Sequence, residues 1–350
     1  MDKRKILVIY TGGTIGMMMD PVTNSLVPFE FKDIYHQLPM LPLVDAELTF
    51  KDLLPLIDSS DTNPEFWIRL AKCISENYNE FDGFVVLHGT DTMAYTASAL
   101  SFLLENLAKP VILTGSQLPL GVIRTDGRRN ILNAIEFAAA HHQGKPIVKE
   151  VCVCFQNALY RGNRTYKADA SRFNAFHSPN YPKLAEVGTY IDYHKHFLLA
   201  PDDNKPFTIH EKMDNNVAVV KIFPGMSQML LANILNTPGL KAVVLETFGV
   251  GNAPTNNAFI STLKEAIERG MVIVNITQCK HGGGVEMGKY LTGKHLSDIG
   301  VLSGHDMTTE AAVTKLMYLL GNVSDPAQVK ILMEKSLRGE LSAENNHTEE

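Results

Sequence analysis

Threonine hydroxyls, one carboxylate and one lysine follow apolar segments of the chain, in an arrangement suited to nucleophilic chemistry. Residues 11–16 read T-G-G-T-I-G and residues 88–92 read H-G-T-D-T. A threonine hydroxyl is a weak nucleophile unless a nearby base or cation helps to remove its proton. Asp91 can polarise Lys167, and the lysine can in turn polarise Thr90. These residue types therefore indicate an activated threonine.

The same residues also have ordinary structural roles. The glycine pair 12–13 is typical of a tight turn, Asp91 is a common type of helix cap, and a lysine such as Lys167 is usually solvated. A glycine-rich turn after a strand can also bind phosphate. However, the spacing does not fit G-x-G-x-x-G, and no P-loop lysine follows. We interpret the turn as presenting a hydroxyl. A dinucleotide-binding protein remains an alternative, which a thermal shift on adding NAD would reveal.

Short apolar runs alternate with segments of helical period along the first half of the chain. Predicted strands span residues 6–10, 83–87, 110–114 and 148–155, and predicted helices span 65–77, 92–107 and 126–141. This alternation predicts an α/β fold with parallel strands and right-handed crossovers. Because ligands bind at the carboxyl ends of such strands, the polar segments that follow the strands are expected to converge.

A polar, proline-bearing stretch at 201–206 interrupts this alternation. A second series follows, with predicted strands at 217–223, 242–247 and 271–276 and predicted helices at 228–235, 256–269 and 308–320. The predicted organisation is an N-terminal catalytic α/β domain at 1–205, a linker at 206–215, a C-terminal α/β domain at 216–338 and a disordered acidic tail at 339–350.

The composition argues against several classes of partner. Of 350 residues, 32 are Lys or Arg and 38 are Asp or Glu, which gives a net charge of −6. Such a chain has no basic field to attract nucleic acid or anionic lipid. With no signal-peptide core and no apolar stretch of membrane-spanning length, we expect a cytoplasmic protein that binds neither nucleic acid nor membrane. Neither an H-E-x-x-H motif nor paired C-x-x-C motifs occur, so no metal or other cofactor is expected.

Two segments resemble the signatures of the bacterial-type L-asparaginase family. They read Y-T-G-G-T-I-G at 10–16 and G-F-V-V-L-H-G-T-D-T-M at 83–93. The resemblance runs from about residue 4 to 338 and includes segments 114–117, 161–164, 249–254 and 275–279. Segments 58–61 and 94–100 look like the cytoplasmic type I branch. The resemblance implies a larger, flavodoxin-like parallel-sheet N-terminal domain, a smaller C-terminal α/β domain, and a homodimer or homotetramer.

The resemblance also implies a reaction and its catalytic residues. Thr14 would attack the side-chain amide carbon of L-asparagine. An acyl-enzyme, an aspartyl ester, would form as ammonia departs, and water would then release aspartate. Thr90, Asp91 and Lys167 would form a second catalytic group that relays protons. Backbone N–H groups near Thr90 could stabilise the oxyanion. The family needs no metal for this chemistry.

Substrate binding is implied for the turn before the first helix and for the second signature. Asp58, Ser59, Ser60, Thr90 and Asp91 are the expected binding residues. An α-amino acid needs a carboxylate to face its ammonium group and hydroxyl or N–H donors to face its carboxylate, and these residues offer both.

Two other functions are compatible with the same scaffold. One is the amidase subunit of an archaeal glutamyl-tRNA amidotransferase, which carries an extra N-terminal domain. The other is a non-catalytic amino-acid-binding module, against which the joint presence of Thr14, Thr90, Asp91 and Lys167 argues. Ammonia release from asparagine by the purified protein distinguishes hydrolysis from simple binding.

The chain departs from the family at a lid tyrosine close to the nucleophile. Residues 11–34 contain no tyrosine, and Leu26 stands at the corresponding position. Tyr290, after the glycine run 282–284, is a hypothetical substitute, although it is equally compatible with an ordinary packed aromatic residue. If Tyr290 supplies the missing hydroxyl, Tyr290→Phe lowers the turnover of asparagine, whereas unchanged turnover would dismiss the substitution.

A second departure concerns an allosteric asparagine site found in some type I enzymes. The family's threonine, arginine and cysteine positions read Tyr166, Glu246 and Cys279 here. Glu246 reverses the charge that would pair with an effector carboxylate. Burying two unpaired carboxylates near each other costs several kcal/mol, which is about the coupling free energy that an effector can supply. We therefore predict hyperbolic kinetics with asparagine. A sigmoidal rate curve at low substrate concentration would contradict this.

Overall fold

Parallel strands flanked by helices form both parts of the computed structural model, which describes residues 3–19, 26–28 and 38–342. The chain divides into two units, Met1–Glu211 and Lys212–Glu350. The division falls within the range 206–215, where the sequence predicts a linker. None of the helices in the described ranges has the length and apolar character needed to cross a membrane.

The first unit contains a sheet of eight strands together with shorter strand pairs. In chain order its strands are β1 (Arg4–Tyr10), β2 (Met17–Met19), β3 (Leu26–Pro28), β4 (Ala46–Asp52), β5 (Gly83–Leu87), β6 (Leu104–Glu105), β7 (Val111–Thr114), β8 (His141–His142), β9 (Lys145–Pro146), β10 (Val151–Phe155), β11 (Ala158–Arg161), β12 (Tyr166–Lys167), β13 (Phe176–His177), β14 (Ala185–Val187), β15 (Ile191–Tyr193) and β16 (Thr208–Ile209). The order in the main sheet is β15-β14-β11-β10-β7-β5-β1-β4.

Five neighbouring strands of this sheet, from β4 to β10, run parallel, and β11, β14 and β15 continue it with antiparallel pairing. The helices of the unit are α1 (Pro64–Glu76), α2 (Met93–Leu103) and α3 (Gly127–Ala139). The central strands β5, β7 and β10 are buried along their whole length, as expected for continuous apolar runs covered on both faces.

Local chemistry explains where two helices begin and end. Asn63 caps α1 by accepting a hydrogen bond from the N–H of Phe66, and Pro64 occupies the first turn, as predicted. Helix α2 ends at Leu103 rather than at the predicted 107, because β6 leaves the helix and pairs antiparallel with β16. The predicted linker at 206–215 is therefore partly strand, and Phe207 stacks on Tyr78 with 3.9 Å between ring centroids.

The second unit is a smaller α/β layer. Its strands are β17 (Val217–Lys221), β18 (Ala242–Thr247), β19 (Val272–Thr277) and β20 (Leu302–Ser303), and its helices are α4 (Gln228–Leu235), α5 (Asn257–Glu268), α6 (Leu291–Asp298), α7 (Thr309–Asn322) and α8 (Pro326–Met333). The strands are parallel and follow the order β17-β18-β19-β20. The predicted fold class, two α/β domains with the larger one first, is confirmed.

The acidic tail predicted at 339–350 begins too early. Glu340 is fully buried and forms an ion pair with Lys315 of α7, with 2.5 Å between Oε1 and Nζ. Lys315 also donates to the carbonyl oxygens of Met333 and Lys335, and the Glu340 carboxylate accepts from the N–H of Leu337. Burial lowers the pKa of Lys315, an effect that the Glu340 carboxylate opposes. The acidic residue is thus part of the core, and residues 343–350 lie outside the described residues.

This ion pair leads to a test of stability. Replacing Glu340 with glutamine leaves a buried ammonium without its counter-charge, so Glu340→Gln is expected to lower the free energy of unfolding by about 3 kcal/mol. The control is Asp298→Asn, which breaks the exposed Lys294–Asp298 pair and should change that free energy by less than about 1 kcal/mol. Urea unfolding measures both variants, and equal effects would show that the buried pair has no special importance.

Candidate active site

The turn after β1 comes into direct contact with two other turns because it carries two glycines. Gly12 and Gly13 have φ angles of 113° and 86°, in the left-handed region that favours glycine. A Cβ on Gly12 would lie 2.1 Å from the carbonyl oxygen of Ile57, and one on Gly13 would lie 2.5 Å from Cα of Gly89. Thr14, which follows directly, is partly exposed and begins a single 3-10 turn. The nucleophile candidate is therefore one residue away from the backbone contact with the second signature.

The turns after β5 and β7 approach their neighbours in the same way. A Cβ on Gly89 would lie 2.5 Å from Oγ of Ser59, and one on Gly115 would lie 2.3 Å from the carbonyl oxygen of His88. Thr92 donates through Oγ1 to the carbonyl oxygen of Ser59 at 2.5 Å and makes no side-chain cap on α2. The four turns at 12–14, 57–60, 88–92 and 115–117 thus converge, as the position of the polar segments predicted.

Lys167 lies between Thr90 and Asp91. Its Nζ donates to Thr90 Oγ1 at 2.8 Å and to Asp91 Oδ1 at 2.7 Å. The lysine side chain is only 17% exposed, whereas the aspartate is 67% exposed. Lys167 is therefore not a solvated surface lysine, and Asp91 is held by the lysine rather than acting as a helix cap. The geometry brings together the three members of the predicted proton-relay group.

Sequence reasoning assigned no role to Gln117, which completes this cluster. The Thr90 hydroxyl donates to Gln117 Oε1 at 3.3 Å, while Gln117 Nε2 donates to the carbonyl oxygen of Arg172 at 3.1 Å. The N–H of Gln117 is held by both carboxylate oxygens of Asp126 at 3.1 Å. The signal for Gln117 was its place in the polar segment that follows a predicted strand.

The segment that carries Lys167 is anchored at its base by a buried ion pair. Arg161, the last residue of β11, contacts Glu150 with 2.7 Å between Nε and Oε2, and both side chains are 4% exposed. The other carboxylate oxygen of Glu150 accepts from the N–H of Leu199, and Arg161 donates to the carbonyl oxygen of Phe197. These satisfied contacts fix the start of the loop that leads to β12 and to Lys167.

The predicted substrate-binding turn forms a single 3-10 turn, Ser59–Asp61, capped by Asp58. Asp58 Oδ1 accepts from the N–H of Ser60 at 2.8 Å and from its hydroxyl at 2.6 Å, and these hydrogen bonds lower the pKa of the Asp58 carboxyl. Ser59 is buried against Gly89, while Ser60 is exposed. The turn thus places the Ser59 hydroxyl against the second signature, while both Ser60 donors are bonded to Asp58.

The remaining predicted positions are spread over both units. Tyr166 precedes Lys167 in β12. In the second unit, Glu246 is buried and accepts from the Thr309 hydroxyl at 2.6 Å, Cys279 is exposed, and Tyr290 is 53% exposed just before α6. Their regulatory and catalytic roles stay predictions. Residues 20–25 of the predicted lid lie outside the described residues, and Leu26 begins strand β3, which pairs with β2.

Fold and site define an α/β protein with a threonine–lysine–aspartate cluster at the carboxyl ends of parallel strands. Residues 5–198 match the model of the asparaginase N-terminal domain, and residues 216–333 match that of the glutaminase/asparaginase C-terminal domain. The chain belongs to the asparaginase family, which confirms the resemblance found in its motifs.

Individual relatives agree with this assignment. The chain is 46% identical to L-asparaginase 1 of Escherichia coli K12 over 349 residues, which cover 99% of this chain and all of that protein. It is 42% identical to the 60 kDa lysophospholipase of Homo sapiens, covering 97% of this chain and 62% of that protein. Among solved structures, L-asparaginase I of Vibrio cholerae matches with a TM-score of 0.87 and 43% identity, covering 97% of this chain and all of that chain.

Proposed function

We propose that the protein hydrolyses the side-chain amide of L-asparagine to L-aspartate and ammonia, with Thr14 as the nucleophile. The observation that carries this proposal is the pair of hydrogen bonds from Lys167 to Thr90 and Asp91 beside the glycine turn that presents Thr14. A hydroxyl nucleophile needs a nearby group that accepts and returns protons, and this cluster is suited to that task.

The reaction takes place in two steps. In the first, Thr14 Oγ1 bonds to the amide carbon, and its proton passes to the amide nitrogen. The nitrogen departs as ammonia, and Thr14 then carries an aspartyl ester. In the second, water attacks the ester carbon and gives one proton back to Thr14 Oγ1, releasing aspartate. The hydrogen-bonded group of Thr90, Lys167 and Asp91 relays these protons, because the lysine contacts both the hydroxyl and the carboxylate.

Substrate recognition uses the groups around this cluster. The Asp91 carboxylate is largely exposed even though one oxygen is bound to Lys167, so it remains available to face the substrate ammonium group. Ser59 lies on the neighbouring turn, where its hydroxyl faces the α-carboxylate, and the hydrogen bonds from Ser60 to Asp58 hold that turn in shape. Thr90 is bonded to the same lysine as Asp91. The reaction is assigned to protein side chains alone, without a cofactor.

Family membership supports further parts of the proposal. We assign the protein to the cytoplasm and to a homodimer or homotetramer, with neither nucleic acid nor membrane as a partner. Glu246, already bound to the Thr309 hydroxyl, has the wrong charge for an effector carboxylate, which supports a protein without allosteric asparagine binding. An amidotransferase subunit and a non-catalytic binding module remain the competing functions.

The proposal is tested by replacing the nucleophile. Thr14→Ala is expected to lower kcat for ammonia release from L-asparagine by about 1,000-fold or more, because the acyl-enzyme can no longer form. Thr14→Ser, which keeps a hydroxyl, is the matched control and should retain measurable turnover. The assay contains no tRNA and no ATP, so activity of the wild type also argues against an obligate amidotransferase subunit. Full activity of Thr14→Ala would overturn the proposal.

A further inference from the structure

A buried chain of hydrogen bonds connects helix α1 with the backbone of the second signature. Trp67 Nε1 lies 3.0 Å from Thr96 Oγ1, and Thr96 Oγ1 lies 3.0 Å from His88 Nε2. The other ring nitrogen, His88 Nδ1, lies 2.7 Å from the carbonyl oxygen of Gly89. Thr96 and His88 are almost completely shielded from solvent. The chain ends at the peptide bond between Gly89 and Thr90.

The direction of this chain follows from the chemistry of its two ends. An indole N–H can only donate, and a carbonyl oxygen can only accept. Thr96 therefore accepts from Trp67 and turns its own O–H toward His88 Nε2, which accepts. His88 Nδ1 must then carry the hydrogen that it donates to Gly89. Burial lowers the pKa of His88 to about 4, so the ring is neutral at neutral pH and this single tautomer satisfies every contact.

Packing holds the His88 ring in place. Phe66 contacts it edge to face, with 5.7 Å between ring centroids. The His88 backbone N–H donates to the carbonyl oxygen of Thr114 at 2.8 Å, which ties the residue to the end of β7. Both ring nitrogens are bonded to groups outside the predicted proton-relay group, so the ring is placed to hold the backbone rather than to transfer protons.

We propose that His88 is a positioning residue which fixes and polarises the Gly89–Thr90 peptide, so that the Thr90 N–H becomes a strong, oriented donor for the oxyanion of the reacting amide. The carbonyl that accepts from His88 and the N–H of Thr90 belong to the same peptide group. Hydrogen bonding at one end of a peptide strengthens its donor at the other end. Within the ranges that the structure describes, no protein acceptor is bonded to the Thr90 N–H.

The inference rests on the proposed function, since it assigns the N–H a role in amide hydrolysis. A purely structural role for the same residues would be filling of the core, because His88 and Trp67 are both buried. The two roles differ in what an isosteric change should do. Removing the Thr96 hydroxyl hardly changes the volume of the core, yet it removes the group that sets the His88 tautomer.

The experiment compares Thr96→Val with Thr96→Ser. Valine keeps the shape and removes the hydroxyl, so kcat for asparagine is expected to fall about tenfold while KM changes little, because a donor to the transition state is weakened rather than lost. Serine keeps the hydroxyl and is expected to restore kcat. Similarly, His88→Asn, which places an amide N–H near the position of Nδ1, should retain more activity than His88→Leu. Thermal unfolding confirms that each variant is folded.

A second measurement tests the hydrogen bonds from Trp67 to Gly89 without using activity. The ¹⁵N spectrum of the wild type is expected to show His88 as a neutral ring with hydrogen on Nδ1 and not on Nε2. A hydrogen on Nε2, or wild-type kcat in folded Thr96→Val, would overturn the inference. If Thr96→Val does not fold, the inference is decided by the His88 tautomer and by the comparison of His88→Asn with His88→Leu. Failure of the proposed function would look different, because the wild type itself would then release no ammonia.

Discussion

The site depends on backbone segments that approach one another more closely than any side chain would allow. The turns after β1, β4, β5 and β7 meet at Gly12, Gly13, Gly89 and Gly115, where an added Cβ would lie between 2.1 and 2.5 Å from the nearest atom of a neighbouring turn. Parallel strands place their carboxyl ends along one edge, but glycine is what brings the turns into contact. Hydroxyl, carboxylate and ammonium groups from distant parts of the sequence are thereby gathered in one small volume.

Around that contact, Lys167 and Thr90 are held by partners that have their own supports. Lys167 is fixed at its tip by Thr90 and Asp91 and at the base of its loop by the Glu150–Arg161 ion pair. Gln117 holds the Thr90 hydroxyl and is itself held by Asp126. Of these interactions the Glu150–Arg161 pair is buried, and a buried network whose members are all satisfied fixes one geometry. The arrangement therefore combines an exposed carboxylate at the tip of the lysine with a buried, fixed base.

Much of the fold and the main cluster could be predicted from the sequence, because strong local signals mark them. Apolar runs identified β5 and β18 with their observed bounds, and Asn63-Pro64 identified the start of α1. Other features depend on partners far away in the chain. The end of α2 is set by strand β16, about a hundred residues later, and the burial of Glu340 by a lysine on α7. Gln117 stands in a polar segment after a predicted strand, but only the contacts show what it holds, and Thr96 has no distinctive local pattern at all.

The Lys315–Glu340 pair also has a consequence for where the polypeptide can be shortened. A chain cut after residue 335 would keep every strand and helix that the structure describes in the second unit, yet it would lose the carboxylate that neutralises Lys315. Such a chain would have to bury an unpaired ammonium in order to close its core, which is strongly unfavourable. The boundary of the second unit is therefore set by a buried charge that lies beyond its last described helix, and not by the end of that helix.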